Sequence, residues 1–385
     1  MRALLAFDKF KDALTARQAC EAAAAALRTR QPDWQLDLCP LADGGEGFAE
    51  ILTRAAGGHL QTISVEGPRG ESVEAAFGLV PLENIPPAAR TLLQIPSSQT
   101  ENSTVAIIEM ASASGLALLP PDRRDPWQTS SRGTGELIRT AAEQGVSAIL
   151  LGVGGSATND PGLGALAELG LKFHTAAGEL ILVPAPGQWS RLARIEGAIA
   201  PALPPVRIAC DVSNPLLGPR GCAAVYGPQK GLAPADHARL EHASARLALM
   251  LSAHCGQPDT LMDLPGAGAA GGIAFGLMTA VGATLLPGSD LVSAWLDLDA
   301  RITAADLVLT GEGRFDDSSL SGKGPGTIVS RAIALGKPAH VFAGAVAVSP
   351  RAGLHLHSIS PAGLPLADAL RTAGPNLAAA VARAL

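Results

Sequence analysis

The chain has 385 residues, enough for two domains that each bury a full core. Hydrophobic residues make up 47% and charged residues 17%, a balance that excludes a disordered or low-complexity chain. The net charge of −6, from 29 basic and 35 acidic residues, excludes an extended nucleic-acid surface but leaves room for a local cluster around a small anion.

In chain order, Ala3–Phe7 reads as a strand and Ala16–Arg30 as an alanine-rich helix with Thr15 as its N-cap. Gln35–Cys39 is a second strand, followed by the glycine loop ADGGEG at Ala42–Gly47. Leu60–Leu79 reads as two antiparallel strands joined by the turn Pro68–Gly70. Pro81–Thr104 has no period and reads as a loop or insertion. Val105–Met110 is a strand and Gly133–Gln144 a helix. Ala148–Leu151 is a short apolar run that breaks into Gly152, Gly154 and Gly155, then Ser156, Thr158, Asn159 and Asp160. Strand, glycine loop and capped helix aim free N–H groups and a positive helix end at an anion.

Further on, Phe173–Ile181 reads as a hairpin and Val206–Cys210 as a strand leading into CDVSNPL. Gly227–Gly231 is a loop, GPQKG, and Asp236–His254 a long helix. Pro265–Ser289 carries no charge, but its glycines and its lack of flanking Lys or Arg favour a buried helix entered from a glycine loop over a membrane span. Asp306–Leu309 is a strand running into the loop TGEGRFDD, and a helix to Leu335 follows Gly322–Gly324. Ala339–Ala343 and Leu356–Ile359 are the last strands and Leu377–Leu385 the last helix. Strand and helix alternate at both ends around a mixed middle. This predicts an α/β protein in which both termini, residues 1–65 and 285–385, build a Rossmann-like parallel-sheet domain. A second mixed α/β domain, residues 66–284, is inserted in it.

Cys20, Cys39, Cys210, Cys222 and Cys255 never form C-x-x-C, which reads as reduced thiols in a cytoplasmic protein with no zinc framework. The apolar run near Met1 is too short for a signal peptide. His355 and His357 share a strand face, but no third ligand is evident nearby, so they read as surface histidines. No G-x-x-x-x-G-K-[ST] occurs. Gly152-x-Gly154-x-x-Ala157 and Gly266-x-Gly268-x-x-Gly271 fit a dinucleotide fingerprint only loosely, because neither has the acidic residue that should close a second strand.

Asp43, Asp160, Asp211, Glu312 and Asp316 each follow a strand or lie in a glycine-rich loop, where carboxylates hold Mg²⁺ or take up protons. Only six lysines stand beside 23 arginines, and Lys11, Lys230 and Lys323 lie in polar or glycine-rich loops. A retained lysine suits a compact charge on phosphate. Lys9 and Lys337 read as surface charges.

ADGGEG at Ala42–Gly47, IEMASASGL at Ile108–Leu116, GTGELI at Gly133–Ile138, GVGGSATND at Gly152–Asp160, CDVSNPLLGP at Cys210–Pro219, GPQKG at Gly227–Gly231, PGAGAAGG at Pro265–Gly272 and TGEGRFD at Thr310–Asp316 occur in this order. In that order they resemble the class I glycerate kinases over residues 1 to about 345. The resemblance implies two α/β domains and ATP-dependent phosphorylation of D-glycerate, chiefly at the 2-hydroxyl, with Mg²⁺. The chain departs from the family at Phe7–Ala13, where the usual Pro and Gly are missing, and at Ser318 and Ser319, which stand where Gln-Thr is common.

In this reading the main-chain N–H groups of Gly154, Gly155 and Ser156, and of Gly268, Gly271 and Gly272, hold ATP phosphates. Lys230 and Lys323 neutralise charge, and Asp43 and Glu312 hold Mg²⁺. Lys11 takes the glycerate carboxylate, with Asp8, Asn214 and Asp316 also at the substrate, and Asp211 accepts the hydroxyl proton. The expected partner is the small-molecule substrate alone, with no nucleic acid and no membrane, for a monomer or homodimer. Three alternatives remain open: phosphorylation at the 3-hydroxyl, a dinucleotide-dependent oxidoreductase, and a non-catalytic small-anion binding protein.

Overall fold

The computed structural model describes residues 1–95, 103–317, 319–320 and 324–385. They group into two compact units, one made of Met1–Asp43 with Val292–Leu385 and the other of Gly44–Leu291. The elements run β1 (Arg2–Phe7), α1 (Ala16–Arg30), β2 (Gln35–Leu38), α2 (Phe48–Ala55), β3 (His59–Glu66), β4 (Ser72–Pro81), α3 (Pro87–Leu93), β5 (Thr104–Glu109), α4 (Ala111–Ser114), α5 (Arg132–Glu143), β6 (Ala148–Gly152), α6 (Leu163–Glu168), β7 (Leu171–Thr175), β8 (Leu180–Ile181), β9 (Leu192–Gly197), β10 (Val206–Ala209), α7 (Cys222–Tyr226), α8 (His237–Cys255), α9 (Ile273–Val281), β11 (Thr284–Leu286), α10 (Gly288–Trp295), α11 (Leu298–Ala304), β12 (Leu307–Phe315), α12 (Gly324–Ala334), β13 (Ala339–Val346), β14 (Leu354–Ser358), α13 (Leu366–Arg371) and α14 (Ala373–Ala384).

The first unit is built on a parallel sheet in the order β14-β13-β12-β1-β2. Residues 3–7 of β1 are fully buried, as a central strand covered on both faces must be. One face packs Ala3, Leu5 and Phe7 under Ala19, Ala23 and Leu27 of α1 and Leu377 and Val381 of α14. The start of α1 is fixed by a capping box: Gln18 N–H donates to Thr15 Oγ1, and Thr15 N–H donates to the Gln18 side chain.

The second unit holds a mixed sheet, β11-β10-β6-β5-β4-β3, parallel from β11 to β5 and antiparallel beyond, and a small antiparallel sheet β8-β7-β9. Residues 44–65 and 285–291 pack with this unit, because β3 is bonded to β4 and β11 to β10. The uncharged stretch becomes the buried helix α9, and among the described residues no helix is long and apolar enough to cross a membrane.

Two details depart from the sequence reading. The segment TGEGRF, expected as a loop, continues β12 to Phe315, because β13 pairs with it from Val308 to Phe315 and closes its backbone hydrogen bonds. Within Pro81–Thr104, Pro87–Leu93 forms α3, where Pro87 supplies a φ suited to a helix start.

Candidate active site

In the second unit, β6 delivers Gly152 to a turn pressed against the Gly44–Glu46 backbone. Gly154 N–H donates to Gly44 O at 2.9 Å, and a Cβ on Gly154 would lie 2.7 Å from Gly45 Cα. Gly155 takes a φ of +72°. Among the described residues, the N–H groups of Gly155 and Ser156 donate to no backbone acceptor. The helix end expected to face an anion is filled from within. The fully buried Asp160 carboxylate accepts from Leu163 N–H at 2.6 Å and Gly164 N–H at 3.2 Å at the start of α6. It also accepts from Ser131 Oγ at 2.7 Å and Ser131 N–H at 3.1 Å. Glu109, at the end of β5, does the same for α2 by accepting from Gly47 N–H at 2.9 Å and Ala49 N–H at 3.3 Å.

Lys230 is buried at 2% exposure, an unusual place for an ammonium group. Its Nζ donates to Ser156 Oγ at 2.9 Å and to Thr158 O at 2.6 Å. Burial pushes its pKa down to about 8. Two contacts tie the Pro265–Gly272 turn to this loop: Thr158 Oγ1 donates to Ala270 O at 3.4 Å, and Gly271 lies against Thr158 and Asn159. The loop after β10 joins through Asn214 O, which accepts from Gly268 N–H at 2.9 Å. Ser156, Thr158, Lys230, Asn214 and Gly268–Gly272 therefore form one connected set beyond the carboxyl ends of β6 and β10, the end where open α/β sheets bind ligands.

Within that set several groups are already engaged. Gly271 N–H donates to Gly268 O at 3.2 Å and Gly272 N–H to Ala269 O at 3.1 Å. Asn214 accepts from Tyr226 Oη at 2.8 Å and donates to Arg220 O at 2.7 Å. Both Asp211 oxygens accept from Ser289, from its N–H at 2.9 and 3.1 Å and from its Oγ at 3.1 Å.

The first unit gathers a second polar set at the carboxyl end of its parallel sheet. Asp8 follows β1, its N–H donating to Gly311 O at 3.0 Å and its carboxylate accepting from Lys9 N–H at 2.7 Å. Burial, then Asp43 and then Glu312, push the Asp8 carboxyl up to about 7 against a smaller opposing pull from Lys9. Glu312 lies on β12 past the last residue paired with β1, and burial, with Asp316 and Asp43 nearby, raises its pKa too. Its Oε1 is buried without a hydrogen-bond partner among the described residues. Lys9, read from sequence as a surface charge, forms an ion pair with Asp43 at 3.5 Å. The sequence signal for it was adjacency to Asp8. Asp316 pairs with Arg314 at 3.0 Å, Lys11 is exposed, and Lys323 and Ser318 lie outside the described residues.

For a divalent cation, the unpaired Glu312 oxygen and the Asp43 carboxylate are the hard oxygen donors that Mg²⁺ takes one or two of. Among the described residues no group of three or more His, Cys, Asp or Glu side chains is arranged to hold a metal ion.

A sequence profile described as the glycerate kinase family matches residues 3–385. A glycerate kinase of Halalkalibacterium halodurans is 38% identical over 346 residues, 89% of this chain and 85% of that protein. A glycerate 2-kinase of Escherichia coli K12 is 38% identical over 351 residues, 90% of this chain and 86% of that protein. A crystal structure assigned to glycerate kinase 2 of Salmonella typhimurium LT2 superposes with a TM-score of 0.74 at 35% identity, covering 100% of this chain and 97% of that one.

Proposed function

Since the chain belongs to the glycerate kinase family, we propose that it is an ATP-dependent kinase that phosphorylates D-glycerate at the 2-hydroxyl, giving 2-phosphoglycerate and ADP. One observation carries the residue-level reading: a buried ammonium, Lys230, is held in a glycine loop by Ser156 and Thr158. A lysine is costly to bury, and a dianionic or trianionic phosphate is the kind of ligand that repays the cost. The position-specific 2-hydroxyl reading is supported by the similarity to the glycerate 2-kinase of Escherichia coli.

Phosphoryl transfer asks a protein mainly for positioning and charge neutralisation, and little of a base. In the proposal, the N–H groups of Gly155 and Ser156 hold phosphate oxygens and Lys230 supplies positive charge. Gly154 is needed there for its close approach to Gly45 more than for its N–H, which Gly44 already uses. The N–H groups of Gly268, Gly271 and Gly272 serve phosphate only when that turn reopens. Asp43 and Glu312 would hold Mg²⁺, which would supply positive charge for phosphate. Asp8, Lys11 and Asp316 serve the substrate, and Lys323 adds positive charge. With both oxygens satisfied by Ser289, Asp211 is assigned to orienting the start of α10 and not to proton transfer. The enzyme is proposed to be cytoplasmic, to act on small molecules without nucleic acid or membrane, and to be a monomer or homodimer.

The test is ADP release that depends on glycerate, followed by phosphorus NMR of the product. A 2-phosphate signal is expected; a 3-phosphate signal would overturn the position, and no glycerate-dependent ADP would overturn the function. Lys230→Ala should lower kcat by about two orders of magnitude, the scale of lost electrostatic stabilisation. Lys337→Ala should leave it unchanged.

A further inference from the structure

Asn159 is not used by the chemistry above, yet it is the least satisfied polar residue of the glycine loop. It is 2% exposed, and neither its Oδ1 nor its Nδ2 has a hydrogen-bond partner among the described residues. A buried polar group left in this state costs about 1–3 kcal/mol. The residues on either side of it are fully engaged. Thr158 O accepts from Lys230, and the Asp160 carboxylate accepts four hydrogen bonds.

The backbone facing Asn159 is under strain. A Cβ on Gly271 would lie 2.7 Å from Asn159 Cα. Next to it, Ala270 sits at φ 55°, ψ 36°, left-handed space that a residue with a Cβ enters at a cost of about 1–3 kcal/mol. The residue that carries the unsatisfied amide and a strained turn thus meet at one seam. Besides the bonds from Thr158 Oγ1 to Ala270 O and from Gly268 N–H to Asn214 O, the turn is held by short-range bonds from Ala269 N–H to Gly266 O, Gly271 N–H to Gly268 O and Gly272 N–H to Ala269 O, which a ligand can exchange.

The chemistry of the amide selects the ligand. Asn offers an acceptor at Oδ1 and donors at Nδ2. An ionised phosphate only accepts and would leave Oδ1 facing like charge. A 2-hydroxy carboxylate has a hydroxyl that donates next to a carboxylate that accepts. We propose that Asn159 is the specificity-determining residue for the 2-hydroxy acid: Oδ1 accepts from the substrate hydroxyl and Nδ2 donates to its carboxylate once the 266–272 turn moves aside. This rests on the glycerate kinase reading and extends it to a residue that nucleotide binding does not use.

The experiment compares wild type with Asn159→Ala and Asn159→Asp in the full chain. KM is measured for glycerate and for ATP separately, and inhibition constants for D-lactate, which keeps the 2-hydroxyl, and 3-hydroxypropionate, which lacks it. Wild type should prefer D-lactate at least tenfold. Asn159→Ala should raise the glycerate KM at least tenfold, leave the ATP KM within twofold and erase the preference, while the ligand-free protein melts at the same or a higher temperature. Asn159→Asp should raise the glycerate KM further by repelling the carboxylate, and it keeps the size of the side chain if Asn159→Ala fails to fold. An unchanged glycerate KM and preference, or a change confined to ATP, overturns the proposal. If wild type shows no turnover with glycerate, calorimetric titration with D-glycerate decides: binding by wild type and not by the variants supports the role of Asn159 while the kinase reading falls, and equal binding or none overturns it.

Discussion

At Asp160, one carboxylate closes four hydrogen bonds with no exposure to solvent, linking the start of α6 to Ser131 at the start of α5. Asp160→Ala strands buried donors at two helix starts, so we expect a loss of about 3 kcal/mol or more in urea unfolding; a loss under about 1 kcal/mol would refute this account of the cap. Gly78 makes the opposite kind of demand. A Cβ there would collide with Thr53 Oγ1, which is buried and has no hydrogen-bond partner among the described residues. Gly78→Ala should therefore cost about 1–3 kcal/mol, and pairing it with Thr53→Ala, which removes Oγ1 but keeps Cβ, should recover part of the loss in a double-mutant cycle. At this scale the sequence was informative about residue type and silent about state. Lysine scarcity drew attention to Lys230, and its loop is one of those brought together. That Asn159 lies unsatisfied beside it depends on which turn packs over it, and no local pattern encodes that.

The paired strands β13 and β14 place His340 opposite His355 and Phe342 opposite His357. The rings stack, with His340 and His355 centroids 4.4 Å apart and Phe342 and His357 centroids 4.6 Å apart, and His340 Nδ1 lies 3.1 Å from His357 Nε2. The sequence pattern shows only His355 and His357, two residues apart on β14. The third member is 15 residues upstream of His355, and only the strand register brings it alongside. Burial, and then His355 and His357, push the His340 pKa down to about 4, well below the ordinary value of 6.5. The folded state thus binds fewer protons than the unfolded one between these values, so its stability is full above pH 6.5 and is lost as pH falls towards 4. Tm should drop by several degrees between pH 7.5 and 5.5, and His340→Phe should flatten that slope; an equally steep slope in the variant would count against the assignment. Strands free of internal glycine, such as β1, β5 and β6, were legible from apolar runs. The end of β12 was not, because Gly311 and Gly313 read as turn residues, whereas here a Cβ on Gly311 would collide with Phe342 O of the adjacent strand.

Over the whole chain, the alternation of strand and helix at both ends was enough to predict a sheet shared by the two termini, because parallel neighbours require long crossovers. Each unit has its own apolar core. Residues 44–291 expressed alone should therefore give a cooperative thermal transition, checked by calorimetry, and a melt without a peak would argue against autonomy. The joining of β1 to β12 has a further consequence, in time. Arg2 N–H donates to Asp306, 304 residues later. At about 5–20 residues per second of synthesis, β1 waits about 15–60 s for its partner to be made. During that interval the apolar face of α1 and the open edge of β1 emerge from the ribosome uncovered, while the residues between them can already fold. Newly made chains should depend on chaperones most at residues 1–43, the part of the first unit that is translated before the second unit and completed after it.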